Sequence, residues 1–218
     1  VRARGLVVSD VDSTLITQEV IELVAEYAGV RGQVQEVTER AMRGEIDFTR
    51  SLHYRVSMLT GLDAAVLDRV QQSLELTPGA ADLVDGAHAR GWVIALVSGG
   101  FHDVIDPLAT QLGVDHVLAN RFEIIDGRLS GRVLGPVVDG ARKEQTLREL
   151  AQRYGIPLSR TIAVGDGAND LPMMKAAGRG IAFCAKPVVA VKAPYRIKEP
   201  NLALVLPHLD AIETGDQR

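Results

Sequence analysis

Apolar residues along this chain fall into short unbroken runs and into longer runs spaced three or four apart. The unbroken runs read as buried strands: Leu6 to Val8, Val93 to Val97, a short stretch near Val117 and Leu118, Thr161 to Val164, and Gly180 to Phe183. The spaced runs read as amphipathic helices. Four of them lie between the first two strands, marked by Val20, Leu23, Val24, Tyr27 and Ala28, then Val34, Val37 and Ala41, then Phe48, Leu52, Val56 and Leu59, then Val66, Leu67, Val70 and Leu74. Thr77, Pro78 and Gly79 break that series. From there helices to Ala89, from about Val104 to Leu112, Glu144 to Tyr154 and Leu171 to Ala177 alternate with the strands. Alternation of this kind predicts an α/β fold with a doubly wound, Rossmann-like parallel sheet.

Residues 11–92 intervene between the first two strands, far more than the dozen or so that a simple crossover needs. A helical unit has been inserted there. The expected organisation is a core of residues 1–16 plus 77–218 and a small helical cap, residues 17–76, over the carboxyl ends of the strands. Phe122 to Ile125 and Arg128 to Val133 flank Asp126 and Gly127, which predicts a peripheral β-hairpin.

Composition narrows the partners. A net charge of -4 argues against a nucleic-acid binder and suits a small metabolite. No apolar run is long enough to span a membrane, and Val1 to Arg4 lack the apolar core of a signal peptide. One cysteine, Cys184, excludes an internal disulfide framework and points to the cytoplasm; its apolar strand context reads as core. His53, His88, His102, His116 and His208 share no metal-ligand or triad spacing. Monomer and homodimer both stay open.

The candidate chemistry collects where strands end. Asp10 and Asp12 follow the first, Ser98, Gly99 and Gly100 the second, and Gly165 to Asp170 (GDGAND) the fourth. Right-handed crossovers bring such ends to one edge of a parallel sheet. Two carboxylates two residues apart in extended chain point to one side, and ionised they need a cation, a shared proton or wider separation. GDGAND is like a phosphate-binding glycine loop, but Asp166 between its glycines would repel a phosphate unless a cation intervened. All-oxygen ligation suits Mg²⁺. Ser98, Gly99 and Gly100 form an ordinary turn that also offers a hydroxyl and open N–H groups to an anion. Spacing alone gives Lys143 no preference over Arg142 or Arg148.

DVDSTL at Asp10 to Leu15, VSGG at Val97 to Gly100, Lys143 and GDGAND together resemble the haloacid dehalogenase superfamily of phosphotransferases. Glu19, AMRGEIDFTRSL at Ala41 to Leu52, RVSML at Arg55 to Leu59 and IAFCAKP at Ile181 to Pro187 extend the resemblance to its phosphoserine phosphatase family, over nearly the whole chain. The resemblance implies an Asp10 nucleophile, Asp12 as proton donor and then base, and one Mg²⁺ on Asp10, the Asp12 backbone carbonyl and Asp166. It implies that Ser98, Gly99, Lys143 and Asn169 contact the phosphoryl group, with Asp170 in support and Gly100 allowing close packing. Arg55 would take the carboxylate and Glu19 the ammonium of phosphoserine, and Met42 and Phe48 would close over it. The expected reaction is the last step of serine biosynthesis. Phosphothreonine or another small phosphoester is the nearest alternative substrate. A noncatalytic phospho-acceptor regulator would share the acids, hydroxyl, lysine and sheet, but neither the helical insertion nor the second acid.

Overall fold

The computed structural model describes residues 3–215, so Val1, Arg2 and Asp216 to Arg218 of the expected core lie outside the described residues. The chain opens with β1 (Leu6–Ser9), followed by α1 (Val20–Tyr27), α2 (Arg31–Met42), α3 (Phe48–Ser57), α4 (Val66–Gln72) and α5 (Ala80–Ala89). Next come β2 (Val93–Phe101), α6 (His102–Leu112), β3 (His116–Asn120), the hairpin β4 (Phe122–Ile125) and β5 (Arg128–Val133), and α7 (Gly140–Tyr154). The remainder is β6 (Thr161–Gly165), α8 (Leu171–Ala176), β7 (Arg179–Phe183), α9 (Pro187–Ala190), β8 (Tyr195–Ile197) and α10 (Leu206–Thr214).

Six strands form one sheet in the order β3-β2-β1-β6-β7-β8, and every neighbouring pair is parallel. Period-two alternation divides their side chains between two apolar cores. Leu6, Val8, Ala95 and Ala163 pack with Leu147 and Leu150 of α7 and Met173 and Met174 of α8. Val7, Ile94, Leu96, Ile162 and Val164 pack on the other face with Leu83 and Val84 of α5 and with residues of α1, α3 and α4. The strand order reverses between β1 and β6, so the carboxyl ends of these two strands flank a topological switch point, where open α/β sheets bind ligands.

The sheet is thus as the alternation predicts, with differences at its margins. β8 has three residues and a short apolar content, too little to register as a periodic signal. Ser98, Gly99 and Gly100 are not a turn: β2 runs through them to Phe101. α7 begins four residues earlier than expected because Asp139 caps it, accepting from the Arg142 N–H at 2.8 Å. The buried stripe of α1 is Val20, Ile21, Val24 and Ala25, while Tyr27 is exposed. Cys184 is exposed rather than core, because the chain leaves β7 there with φ of 45° and turns its side chain out of the sheet.

The inserted helices leave and return at adjacent points. Ile16 and Leu76 form an antiparallel bridge, and Thr17 N–H donates to the Glu75 carbonyl at 3.0 Å. The hairpin stands apart from the main sheet but is strapped to this insertion. Gly61 N–H donates to Leu129, Leu129 N–H to Leu62, and Ala64 N–H to Gly127, each at 2.8 Å. At its base Phe122 stacks on Phe101 with ring centroids 3.6 Å apart.

Candidate active site

The end of β1 delivers Asp10 and Asp12 to the switch point, both buried. Asp10 Oδ1 accepts from the Val11 N–H at 2.7 Å and lies 2.9 Å from Lys143 Nζ. Lys143 also donates to Asp170 Oδ1 at 2.6 Å, so one ammonium joins the loops after β1 and β6. It can do so because it sits in the first turn of α7, where the Asp139 cap fixes the entry of the helix beside the sheet. The other oxygen of Asp170 accepts from the N–H groups of Asp166 and Gly167 at 3.1 and 3.0 Å. Both Asp170 oxygens are therefore committed to shaping GDGAND and holding Lys143.

Asp12 is held by neutral donors. Its Oδ1 accepts from the Val20 N–H at 2.7 Å, at the start of α1, and its Oδ2 accepts from Ser98 Oγ at 3.1 Å. Ser98 Oγ in turn accepts from the Gly100 N–H at 2.9 Å. A side chain at Gly100 would drive a Cβ into Asp12 Oδ2, and one at Gly99 would meet the Phe48 ring. The two glycines let the β2 end approach both the acids and the helical insertion.

Asp10, Asp12, Glu19, Met42, Phe48, Arg55, Gly99, Gly100 and Asn169 line one cavity of about 20 Å³, together with Ile21, Leu52 and Phe101. Asp166 adjoins it, with Thr14 Oγ1 donating to its Oδ1 at 3.3 Å. Asn169 is buried with neither atom of its side-chain amide bonded. An unpaired buried amide on a cavity wall costs free energy unless a ligand satisfies it. Arg55 is buried on α3, its Nε donating to the Ser51 carbonyl at 3.2 Å, Nη1 to Thr38 Oγ1 at 2.9 Å and Nη2 to Ser51 Oγ at 3.5 Å. All three acceptors are uncharged.

Burial dominates the electrostatics. It raises the Asp10 carboxyl well above its usual range, with Asp170 adding to the rise and Lys143 opposing it. Asp12 is also raised by burial, against the hydrogen bonds from Val20 and Ser98. Asp166 is raised by burial and then by Glu19, Asp170 and Asp10. Glu19, which accepts from Ser13 Oγ at 2.6 Å, is pushed up to about 8 by burial and then by Asp12. Burial pulls Lys143 down, but Asp10 and Asp170 outweigh it and hold the ammonium above its ordinary value. Burial lowers Arg55, with Glu19 and Asp12 working the other way.

Around this cavity stand five carboxyl groups, of Asp10, Asp12, Glu19, Asp166 and Asp170, against the two cations Lys143 and Arg55. The cluster is short of positive charge. Oxygens of Asp10, Asp166 and Asp170 lie within 4.8 Å of one another, a hard all-oxygen donor set that fits a metal ion. Asp170 already accepts from Lys143 and two N–H groups, more than are bonded to Asp166.

All thirteen residues expected at the site thus gather at one edge of the sheet, although Ser98 directs its hydroxyl proton at Asp12. Sequence reasoning missed the polar residues behind them: Ser13 under Glu19, Thr14 under Asp166, and Thr38 and Ser51 under Arg55. Among the described residues no helix is long and apolar enough to cross a membrane.

A phosphoserine phosphatase of Streptococcus thermophilus is 52% identical over 209 residues, covering 96% of this chain and 97% of its own. One from Streptomyces coelicolor is 55% identical over 205 residues, 94% of this chain but only 50% of its own length. The solved structure of a phospho-aspartyl intermediate analogue of a phosphoserine phosphatase superposes with a TM-score of 0.92 at 39% identity, covering 95% of this chain and 99% of that one. Residues 7–175 match the haloacid dehalogenase-like hydrolase family, and the chain belongs to it.

Proposed function

We propose that this chain hydrolyses O-phospho-L-serine to L-serine and phosphate through an aspartyl phosphate on Asp10. The observation that carries the reading is the charge layout of the cavity. At one end buried acids lack positive charge; at the other, the Arg55 guanidinium is held only by neutral oxygens. Phosphoserine supplies a carboxylate for Arg55, an ammonium for Glu19, and a phosphoryl group for the unpaired Asn169 amide.

Val11 and Lys143 both occupy Asp10 Oδ1, which leaves Oδ2 as the attacking oxygen. As the Oδ2–P bond forms and the P–O bond to serine breaks, Asp12 gives its proton to the departing seryl oxygen. Its raised pKa equips it to hold that proton. Asp12 then takes a proton from water as the water attacks phosphorus and Asp10 departs. Lys143, Asn169, Ser98 and the Gly99 backbone hold the phosphoryl oxygens, and Asp170 keeps Lys143 in place. Mg²⁺ on Asp10, Asp166 and the Asp12 carbonyl would offset the carboxylate repulsion and draw charge off the transferring group.

Residues 17–76 act as a cap on a core of residues 1–16 and 77–218, a division supported by the meeting of Ile16 with Leu76. A space of about 20 Å³ accommodates one water and no phosphoserine, so Met42 and Phe48 must withdraw with the cap for substrate to enter. Production of serine gives the chain a place in serine biosynthesis, and its lone cysteine is consistent with the cytoplasm.

The test is a phosphate-release screen with Mg²⁺ over phosphoserine, phosphothreonine, sugar phosphates and phenyl phosphate, repeated after chelation. Phosphoserine should lead, and turnover should vanish with chelator and return with Mg²⁺. In Arg55→Ala, kcat/KM for phosphoserine should fall on the order of 100-fold more than for phenyl phosphate, the cost of a lost charge-assisted bidentate contact. Equal losses on both substrates would remove Arg55 from substrate selection.

A further inference from the structure

Arg55 is a long side chain with several rotamers, yet it must present its planar fork to a small anion in one orientation. What fixes that orientation is a hydroxyl on another helix. Thr38 lies on the buried face of α2, and its Oγ1 donates to the Val34 carbonyl one turn back at 2.9 Å. A hydroxyl has one proton to give. With that proton committed to Val34, Thr38 can only accept from Arg55, which it does from Nη1 at 2.9 Å. The Ser51 carbonyl takes the Nε proton and Ser51 Oγ lies 3.5 Å from Nη2, with the Ser51 hydroxyl proton itself directed to the Phe48 carbonyl at 2.7 Å.

We propose that Thr38 is a positioning residue for substrate selection: it pins the Arg55 guanidinium so that its remaining N–H groups face the cavity and meet the substrate carboxylate. The inference rests on the reading of Arg55 as the carboxylate-binding residue. It gives a reason for a buried polar side chain on an otherwise apolar helix face, since Val34, Ala41 and Met42 are the other buried residues of α2. A neutral partner suits the task. A carboxylate at position 38 would neutralise Arg55 and compete with the ligand, whereas a hydroxyl orients the charge without cancelling it.

The experiment compares Thr38→Val, which keeps shape and removes the acceptor, with Thr38→Ser, which keeps the acceptor, and with Arg55→Ala. Phosphoserine and phenyl phosphate are assayed with each. Thr38→Val should lower the ratio of phosphoserine to phenyl phosphate kcat/KM about tenfold, through KM for phosphoserine rather than kcat, and Thr38→Ser should restore most of it. A Thr38→Val protein that loses activity equally on both substrates, or that retains the wild-type ratio, overturns the proposal. Arg55→Ala separates the two layers of inference. If it loses the substrate preference while Thr38→Val keeps it, the positioning role fails alone; if Arg55→Ala keeps the preference, the reading of Arg55 fails and takes the positioning role with it.

Discussion

The site holds two buried cations in opposite ways. Lys143 lies between two carboxylates, 2.9 Å from Asp10 and 2.6 Å from Asp170, and is neutralised within the protein itself. Arg55 gives its donors to a carbonyl and two hydroxyls, and among the described residues no carboxylate bonds to it. The first cation has its charge matched where it sits, and the second is oriented by groups that carry none. The end of the cavity at Asp10 is fixed by charge pairs running across the sheet, while the end at Arg55 is fixed by neutral hydrogen bonds within α3 and from α3 to α2.

The largest effect that follows belongs to the end at Asp10. Asp10→Asn should reduce phosphoserine turnover on the order of 10⁴-fold or more, because an amide cannot form the aspartyl ester. Its thermal midpoint should stay near that of the parent protein. Burial and Asp170 both disfavour the ionised form of Asp10, so a neutral isostere relieves part of what it takes away. Phosphate release and a thermal melt on the same sample separate these outcomes. A variant that turns over normally removes Asp10 from the role of nucleophile.

The second effect sets the two cations directly against each other in stability. Lys143→Met leaves Asp10 and Asp170 buried side by side with no cation between them, and breaking a buried pair in this way costs roughly 3–5 kcal/mol. Arg55→Met removes a buried charge whose hydrogen-bond partners are neutral and whose burial outweighs the pull of Glu19 and Asp12. It should leave stability nearly unchanged or improve it. Urea unfolding of both variants measures the contrast. If Arg55→Met destabilises as much as Lys143→Met, the division between a lysine neutralised by the protein and an arginine held by neutral groups does not hold.

That division also marks how far the sequence could be read. Asp10 and Asp12 are legible because an unbroken apolar run ends abruptly in two acids, and a buried strand cannot continue through them. GDGAND is legible for the same reason after β6. Lys143 is not, because its importance lies in a helix cap at Asp139 and in two partners at distant positions, 10 and 170, which no local pattern connects to it. Only the family resemblance sets it above its neighbours. Thr38 escapes altogether, since a threonine within an amphipathic helix looks the same whether its hydroxyl meets water or a guanidinium on the next helix. The Ser98 to Gly100 stretch reads as a turn because serine and two glycines usually make one, yet β2 runs through it with a register shift against β3, where Asn120 Nδ2 donates to the Gly99 carbonyl at 2.8 Å. Periodicity reports which face is buried, and polar contacts across elements leave no period.

The smallest effect concerns a third buried cation, remote from the cavity, which extends the comparison to a neutral partner that can itself become charged. Arg179, at the start of β7, lies over the Tyr195 ring at 4.6 Å, with Nη1 3.4 Å from His208 Nδ1 on α10. Burial and then Arg179 lower the His208 pKa, so the folded protein favours the neutral imidazole more than the unfolded chain does. For a base with a depressed folded pKa, the stabilisation is complete above the unfolded value of about 6.5 and is lost as pH falls through the folded one. His208→Gln keeps an acceptor for Arg179 and cannot ionise. Urea midpoints measured near pH 7.5 and near pH 5.5 should drop less in this variant than in the parent protein, because the acid-side loss due to His208 is absent. Equal drops would mean that His208 charges beside Arg179 at no cost.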